Sequence, residues 1–160
     1  MAVPPVQRAV TRHSGQTDHR IAFICVQNAG RSQMAAAFAK RERDRRGVDD
    51  QIGIITGGTQ PADHVHDVVI EAMAEVDIDL SDRTPREVTR DELQGVDLVV
   101  TMGCSASDVC PVTWNGENRD WDLDDPHGRP IGDVRKIRAE IEERVVTLFD
   151  EIMTDPSSAE

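Results

Sequence analysis

The sequence predicts an α/β fold, a parallel sheet covered by helices on both faces, built as one domain. Three observations predict it. Short apolar runs at Ile21–Cys25, Ile52–Thr56 and Val96–Met102 have the length and composition of buried strands. Stretches with apolar residues at helical spacing separate them, and strand–helix alternation of this kind builds a parallel sheet. The length, 160 residues, suits a single domain with a normal core.

The first strand, Ile21–Cys25, stops at Gln27-Asn28-Ala29-Gly30. A helix follows from about Ser32, with Met34, Ala35 and Phe38 on one face, a wet last turn at Lys40–Arg46 and Gly47 as its stop. Gly57-Gly58 ends the second strand, after which Val65, Val68, Val69, Ala72, Met73 and Val76 recur at helical spacing. Thr89 and Glu92 form a capping-box pair that opens a short helix through Leu93. Val96–Met102 is the third strand. Pro111–Asp125 reads mostly as loop, with a short strand around Asp120–Leu123. Val134, Ile137, Ile141, Val145, Leu148 and Ile152 make the clearest amphipathic helix. Residues 1–19 read as a flexible extension, 20–153 as one catalytic domain and 154–160 as a frayed tail. In open parallel sheets, ligands sit at the carboxyl ends of strands near the point where strand order reverses. The loops after Cys25, Thr56, Met102 and Leu123 are therefore expected to carry the site.

Thirty acidic residues face eighteen basic ones, for a net charge of -12, and only Lys40 and Lys136 are lysines. Such a surface does not suit nucleic acid, whose phosphates need a basic footprint. Acid excess with so little lysine points to a halophilic protein, in which strong salt screens the self-repulsion. No apolar stretch is long enough to cross a bilayer, and Met1–Arg20 lacks the apolar centre of a signal peptide. A cytoplasmic location and no membrane partner are the expectation. Three cysteines cannot all pair within one chain, so free, buried or reactive thiols are expected.

The strongest chemical signal is Cys25-Val26-Gln27-Asn28-Ala29-Gly30-Arg31-Ser32, a Cys-x5-Arg-Ser pattern between a strand and a helix. A loop so placed points successive backbone N–H groups inward above a helix N-terminus, and both features bind a multivalent anion. The same field favours the thiolate of Cys25 as a nucleophile. Arg31 can fork two oxygens of a tetrahedral oxyanion, which a lysine cannot do. Ser32 is placed to donate its hydroxyl to the sulfur, and Asn28 to pin the loop through its amide.

With this loop and its surroundings, the chain resembles the low-molecular-weight protein tyrosine phosphatase superfamily, and within it the arsenate reductases. The resemblance runs from about Ile21 to Phe149. It rests on Phe23–Ala36, Gly57-Gly58-Thr59-Gln60-Pro61, Ala72-Met73 with Ile78-Asp79-Leu80-Ser81, Val99–Cys104 and Trp121–Pro126. It implies a three-layer fold whose four-stranded parallel sheet has order 2-1-3-4. It also implies an arsenate or phosphate-like substrate held by Val26, Gln27, Asn28, Ala29, Gly30, Arg31 and Ser32.

Cys104 and Cys110 follow the third strand and so lie toward the same sheet edge as Cys25. A nucleophilic cysteine with two more on a neighbouring loop suggests stepwise thiol exchange. The resemblance implies the order of events: Cys25 attacks arsenate, Cys104 attacks Cys25 and releases arsenite, and Cys110 closes a disulfide with Cys104. No bound cofactor is implied. The implied reductant is external, thioredoxin first and a low-molecular-weight thiol second. Thioredoxin-coupled members usually have one more residue between the last two cysteines and often carry a further cysteine where this chain has Gly30. Some use a first-helix glutamate to help bind potassium; Ala36 stands there, so no structural potassium site is expected.

The departing oxygen needs a proton from a nearby carboxyl group. Asp125-Pro126 matches the family's aspartate-proline acid, with Asp124 as the neighbouring alternative. His127-Gly128 stands where the phosphatases have aromatics that help hold phosphotyrosine, and the chain contains no tyrosine at all. His64 and His66, two apart near a helix start, do not share a face and read as surface residues, so no metal site is expected. The basic run Lys40–Arg46 contains acids and no aromatics and reads as a solvated helix face. Arsenate reductase is thus the leading function. A phosphatase using Cys25, Arg31 and Asp125 is the nearest alternative, and an oxyanion-binding redox module without turnover is a third.

Overall fold

The structure is a computed structural model that describes residues 19–104, 109–110, 114 and 116–154. The predicted N-terminal extension up to residue 18 and the tail from 155 lie outside the described residues, as does the segment 105–108 between Cys104 and Val109.

Four strands, β1 (His19–Cys25), β2 (Ile52–Gly58), β3 (Leu98–Met102) and β4 (Glu117–Asp120), form a wholly parallel sheet in order β2-β1-β3-β4. This is the predicted order. The chain leaves β1 toward β2 on one side and returns to β3 on the other, so the reversal point lies at the end of β1. Cys25 pairs there with Gly58 and Met102, placing it between the two central crossovers.

Strand pleating divides the core. Ile21, Phe23 and Cys25 face a larger cluster, and Ala22 and Ile24 a smaller one. The larger face is covered by α1 (Arg31–Arg45), α2 (Asp67–Ala74) and α4 (Ile131–Thr154), through Met34, Phe38, Met73, Ile141 and Phe149. The smaller face is covered by the one-turn helix α3 (Arg90–Leu93) with Val96, Val109 and Cys110. Two apolar faces on each buried strand explain why β1 and β3 read as unbroken apolar runs.

Local signals agree with these bounds. Gly47, at φ 69°, follows α1 in the left-handed conformation that a helix stop requires. The capping box is present: Thr89 Oγ1 accepts from Glu92 N at 3.2 Å, and Glu92 Oε1 from Thr89 N at 2.9 Å.

Three expectations are corrected. The fourth strand is Glu117–Asp120, not Asp120–Leu123. As an edge strand it tolerates polar residues, while Trp121 and Leu123, buried at 7% exposure each, are core residues of the loop beyond it. Val65 and Val76 flank α2 without belonging to it: His66 is extended at φ -60°, ψ 136° and caps the helix, so Val65 is buried from the preceding loop. The basic end of α1 is not merely solvated. Arg41 pairs with Glu142 at 2.6 Å, and Arg46 with Asp150 at 2.7 Å and Glu42 at 2.8 Å, which ties α1 to α4.

On α4, Arg135 and Arg138 donate to Glu75 and hold its carboxyl well below the usual range, at about 2. That contribution to stability is complete above the ordinary carboxylate range and is lost as pH falls toward about 2. Exposed pairs of this kind contribute little each and weaken in salt. The unpaired acid excess behind the charge of -12 is screened at the same time. The melting temperature is therefore expected to climb between low and molar potassium chloride; a flat or falling curve in a thermal scan would remove the halophilic reading. No described helix is long and apolar enough to cross a membrane.

Candidate active site

The loop 26–30 joins the end of β1 to the start of α1 and wraps around the Cys25 sulfur. Asn28 takes φ 53°, which turns its N–H onto Cys25 Sγ at 3.1 Å. The conformation is uncommon outside glycine, and asparagine is among the residues that tolerate it best. Its fully buried side chain is satisfied on every side. Nδ2 donates to Ser32 Oγ at 2.7 Å and to Thr56 Oγ1 at 3.0 Å. Oδ1 accepts from Arg86 N at 3.0 Å and Gln33 Nε2 at 3.1 Å. The Arg86 backbone, which can only donate, fixes which way the amide points.

This network also orients Ser32. Its oxygen lies 2.8 Å from Cys25 Sγ. Because Asn28 Nδ2 supplies a hydrogen to that oxygen, the hydroxyl's own hydrogen is left for the sulfur. Cys25 Sγ thus faces two donors, Asn28 N–H and Ser32 O–H. Ser32 and Asn28 make these contacts from behind the loop.

A cavity of about 270 Å³ opens in front of it, lined by Cys25, Val26, Gln27, Ala29, Gly30, Arg31, His66, Gly103 and Asp125. Five of the seven predicted oxyanion-binding residues, Val26, Gln27, Ala29, Gly30 and Arg31, line it. Asn28 and Ser32 do not. Arg31 is held from behind: Nη1 donates to Leu123 O at 3.2 Å, and Nη2 lies 3.7 Å from Asp125 Oδ2. Asp125 lines the cavity and is more than half exposed, and its Oδ1 accepts from His127 N at 3.0 Å. Asp124 is not among the lining residues.

Two glycines set the walls. A Cβ on Gly30 would lie 2.7 Å from Pro126 Cγ, so only glycine lets the Asp125-Pro126 segment close over the loop. Gly103, at φ +85°, lies under Arg31; a Cβ there would sit 3.0–3.3 Å from the guanidinium. Gly103→Ala is strained and pushes the guanidinium out of place, so phosphate binding should weaken roughly 10- to 100-fold with little loss of melting temperature. Calorimetric phosphate titration checks this, and unaltered affinity would mean that Arg31 tolerates the shift.

All three cysteines are free thiols. Cys104 opens into an adjoining cavity of about 300 Å³ that shares Arg31 and Gly103 with the first. Its Sγ lies 3.8 Å from Ile24 O. Cys110 is buried in the smaller core, with its carbonyl accepting from Arg90 Nη1 at 3.0 Å. Burial pushes the Cys110 thiol up, with Arg90 pulling the other way. The structure therefore brings Cys25, Arg31 and Asp125 to one cavity and Cys104 next to it, and leaves Cys110 under the sheet.

His66 was read as a surface residue; it lines the oxyanion cavity and stacks against His127, ring centroids 4.7 Å apart. No spacing signal marks it, because the contact is made between two distant loops. Thr56, Gln33 and Arg86, which buttress Asn28, were also missed; Gly103, just past a strand end, was the one with a readable position. Among the described residues, no three histidine, cysteine or acidic side chains converge as metal ligands do.

The sheet places Cys25 at its reversal point, and the loop that follows and Arg31 at the start of the next helix enclose one cavity with it. Residues 20–158 match the profile described as low molecular weight phosphotyrosine protein phosphatase, and the chain belongs to that family. A Halobacterium salinarum protein, provisionally named an arsenate reductase, is 55% identical over 142 residues, covering 89% of this chain and 99% of its own. The structure of a thioredoxin-dependent arsenate reductase of Corynebacterium glutamicum is similar at TM-score 0.71 and 32% identity, over 91% of this chain and 67% of that one. An arsenate reductase structure in the phosphate-binding state is similar at TM-score 0.69 and 30% identity, over 84% of this chain and 98% of that one.

Proposed function

We propose that this protein reduces arsenate to arsenite, with Cys25 as nucleophile and Cys104 and Cys110 as the thiols that complete the reaction. The observation that carries this reading is the juxtaposition of two cavities across Arg31 and Gly103, one lined by Cys25 and the other by Cys104, with no disulfide between them. A phosphatase has no use for the second thiol.

Arsenate enters the loop against the N–H groups of Val26, Gln27, Ala29 and Gly30, with Arg31 forking two of its oxygens. The Cys25 thiolate attacks arsenic as Asp125 passes a proton to the departing oxygen, which leaves as water. Cys104, as thiolate, then attacks Cys25 Sγ. A disulfide forms, the sulfur–arsenic bond breaks, and its electron pair stays on arsenic, which leaves as arsenite. Two thiols have lost the two electrons that arsenic has gained. Cys110 attacks Cys104, frees Cys25 and leaves a Cys104–Cys110 disulfide. Cys110 must lose its proton to attack, a step that burial disfavours and the nearby Arg90 assists. An external dithiol reopens that bond. The similarity to a thioredoxin-dependent enzyme supports thioredoxin as that donor.

Asp125→Asn removes a proton donor while keeping the cavity's shape. The chemical step should slow roughly 100- to 10,000-fold with oxyanion binding retained. A larger effect from Asp124→Asn in single-turnover kinetics would move the acid to Asp124. The function itself is tested by arsenite production with thioredoxin and its reductase, run beside hydrolysis of an aryl phosphate. Sustained arsenite release supports the reading; brisk hydrolysis without arsenite would hand the site to phosphatase chemistry.

A further inference from the structure

Two imidazoles meet at the mouth of the oxyanion cavity, and the chemistry above uses neither. His66 is fixed to the loop by its own backbone, whose N–H donates to Ala29 O at 3.0 Å. Its half-buried ring lines the same cavity as Cys25 and Arg31. His127 comes from the other wall, two residues beyond Asp125, and its ring stacks on His66 at 4.7 Å and 54°. Gly30 lets the wall that carries His127 close in: a Cβ there would lie 2.7 Å from Pro126 Cγ.

Groups of both signs surround His66. Burial, His127 and His64 disfavour a proton on the ring, while Asp125 and Asp67 favour one, and the net effect holds His66 below the usual histidine range. Arg31 and Cys25 are the remaining charged or ionisable groups lining the cavity. A tetrahedral dianion in the loop would add two negative charges to the face that His66 shares with Asp125 and Cys25. An opposite charge in the shared cavity favours the protonated ring, whereas repulsion between two charged rings 4.7 Å apart disfavours a second proton on the pair.

We propose that the His66–His127 pair takes up one proton from solvent when a tetrahedral dianion enters the loop, so that oxyanion recognition and imidazole protonation are a single coupled event. The pair is then a specificity element: it favours small, doubly charged, freely diffusing oxyanions over singly charged or neutral ones. This rests on the loop being an oxyanion site, and the test separates the two claims.

Sulfate is the probe, because it keeps both charges from pH 5 to 8 and cannot itself accept the proton. Cys25→Ser removes the thiolate as a competing acceptor. Calorimetric titration of sulfate in two buffers of different ionisation enthalpy, with the full-length Cys25→Ser protein, should report uptake approaching one proton per sulfate. Affinity should fall by up to about tenfold per pH unit above neutrality. The NMR titration of the His66 Cε1–H resonance should move to higher pH when sulfate is added. It is assigned by its loss in His66→Gln and needs no variant in the measured sample beyond Cys25→Ser. Adding His66→Gln should abolish most of the uptake and flatten the pH profile, and His127→Gln should reduce it. Sulfate binding with no proton uptake, or with a stationary His66 resonance, would overturn the coupling while leaving the oxyanion loop intact. No binding of sulfate, phosphate or arsenate at all would overturn both.

Discussion

Cys25→Ser should abolish arsenate reduction together with any hydrolysis of aryl phosphates, because both begin with the same attack. The serine hydroxyl is a poor nucleophile without a base, and none stands beside position 25: its neighbours there, Asn28 N–H and Ser32 O–H, are both donors. Loss of a nucleophile in a working constellation costs several orders of magnitude, here roughly 1,000-fold or more, or about 4 kcal/mol of transition-state stabilisation. Binding should survive, since the N–H cradle and Arg31 are untouched. Steady-state assays paired with phosphate titration check both halves. Retention of more than about a tenth of activity would rule Cys25 out as nucleophile.

Cys104→Ser should divide the two chemistries that Cys25→Ser removes together. Cys104 lines the adjoining cavity and not the one that holds Cys25, so the oxyanion loop, Arg31 and Asp125 keep their geometry. Slow hydrolysis of an aryl phosphate should persist near the wild-type rate. Arsenate turnover should fall below detection, since nothing remains to attack Cys25 and expel arsenite. Cys110→Ser differs: one equivalent of arsenite can leave, after which Cys25 and Cys104 stay joined. A small thiol can then rescue turnover by direct exchange, whereas thioredoxin stalls. If both variants reduce arsenate as fast as wild type, a mixed disulfide between Cys25 and a small thiol becomes the better mechanism.

What was legible in the sequence was what local pattern and chemistry dictate. The apolar runs of β1, β2 and β3 and the 3.6-residue spacing of α4 announce themselves because both faces of the inner strands, and one stripe of the helix, must be buried. The Cys25–Ser32 loop was legible because its chemistry is compressed into eight consecutive residues. β4 was misplaced because an edge strand need not be apolar, and the more apolar Trp121 and Leu123 drew the assignment past it. His66 was misread for a different reason. Its neighbours along the chain, His64 and Asp67, say nothing about His127, and only the fold brings the two rings together. Gly103 and Gly30 carry no side chain to read; their importance is the space they leave for Arg31 and Pro126.

The most direct test of the proposed chemistry is peptide mass spectrometry of thiol-blocked protein after one stoichiometric exposure to arsenate, without reductant. Wild type should yield a Cys104–Cys110 disulfide with Cys25 as a thiol, and Cys110→Ser a Cys25–Cys104 disulfide, each with one arsenite released. Recovery of three free thiols with arsenate unconsumed, or of arsenite from protein whose Cys104 and Cys110 remain reduced, would contradict it.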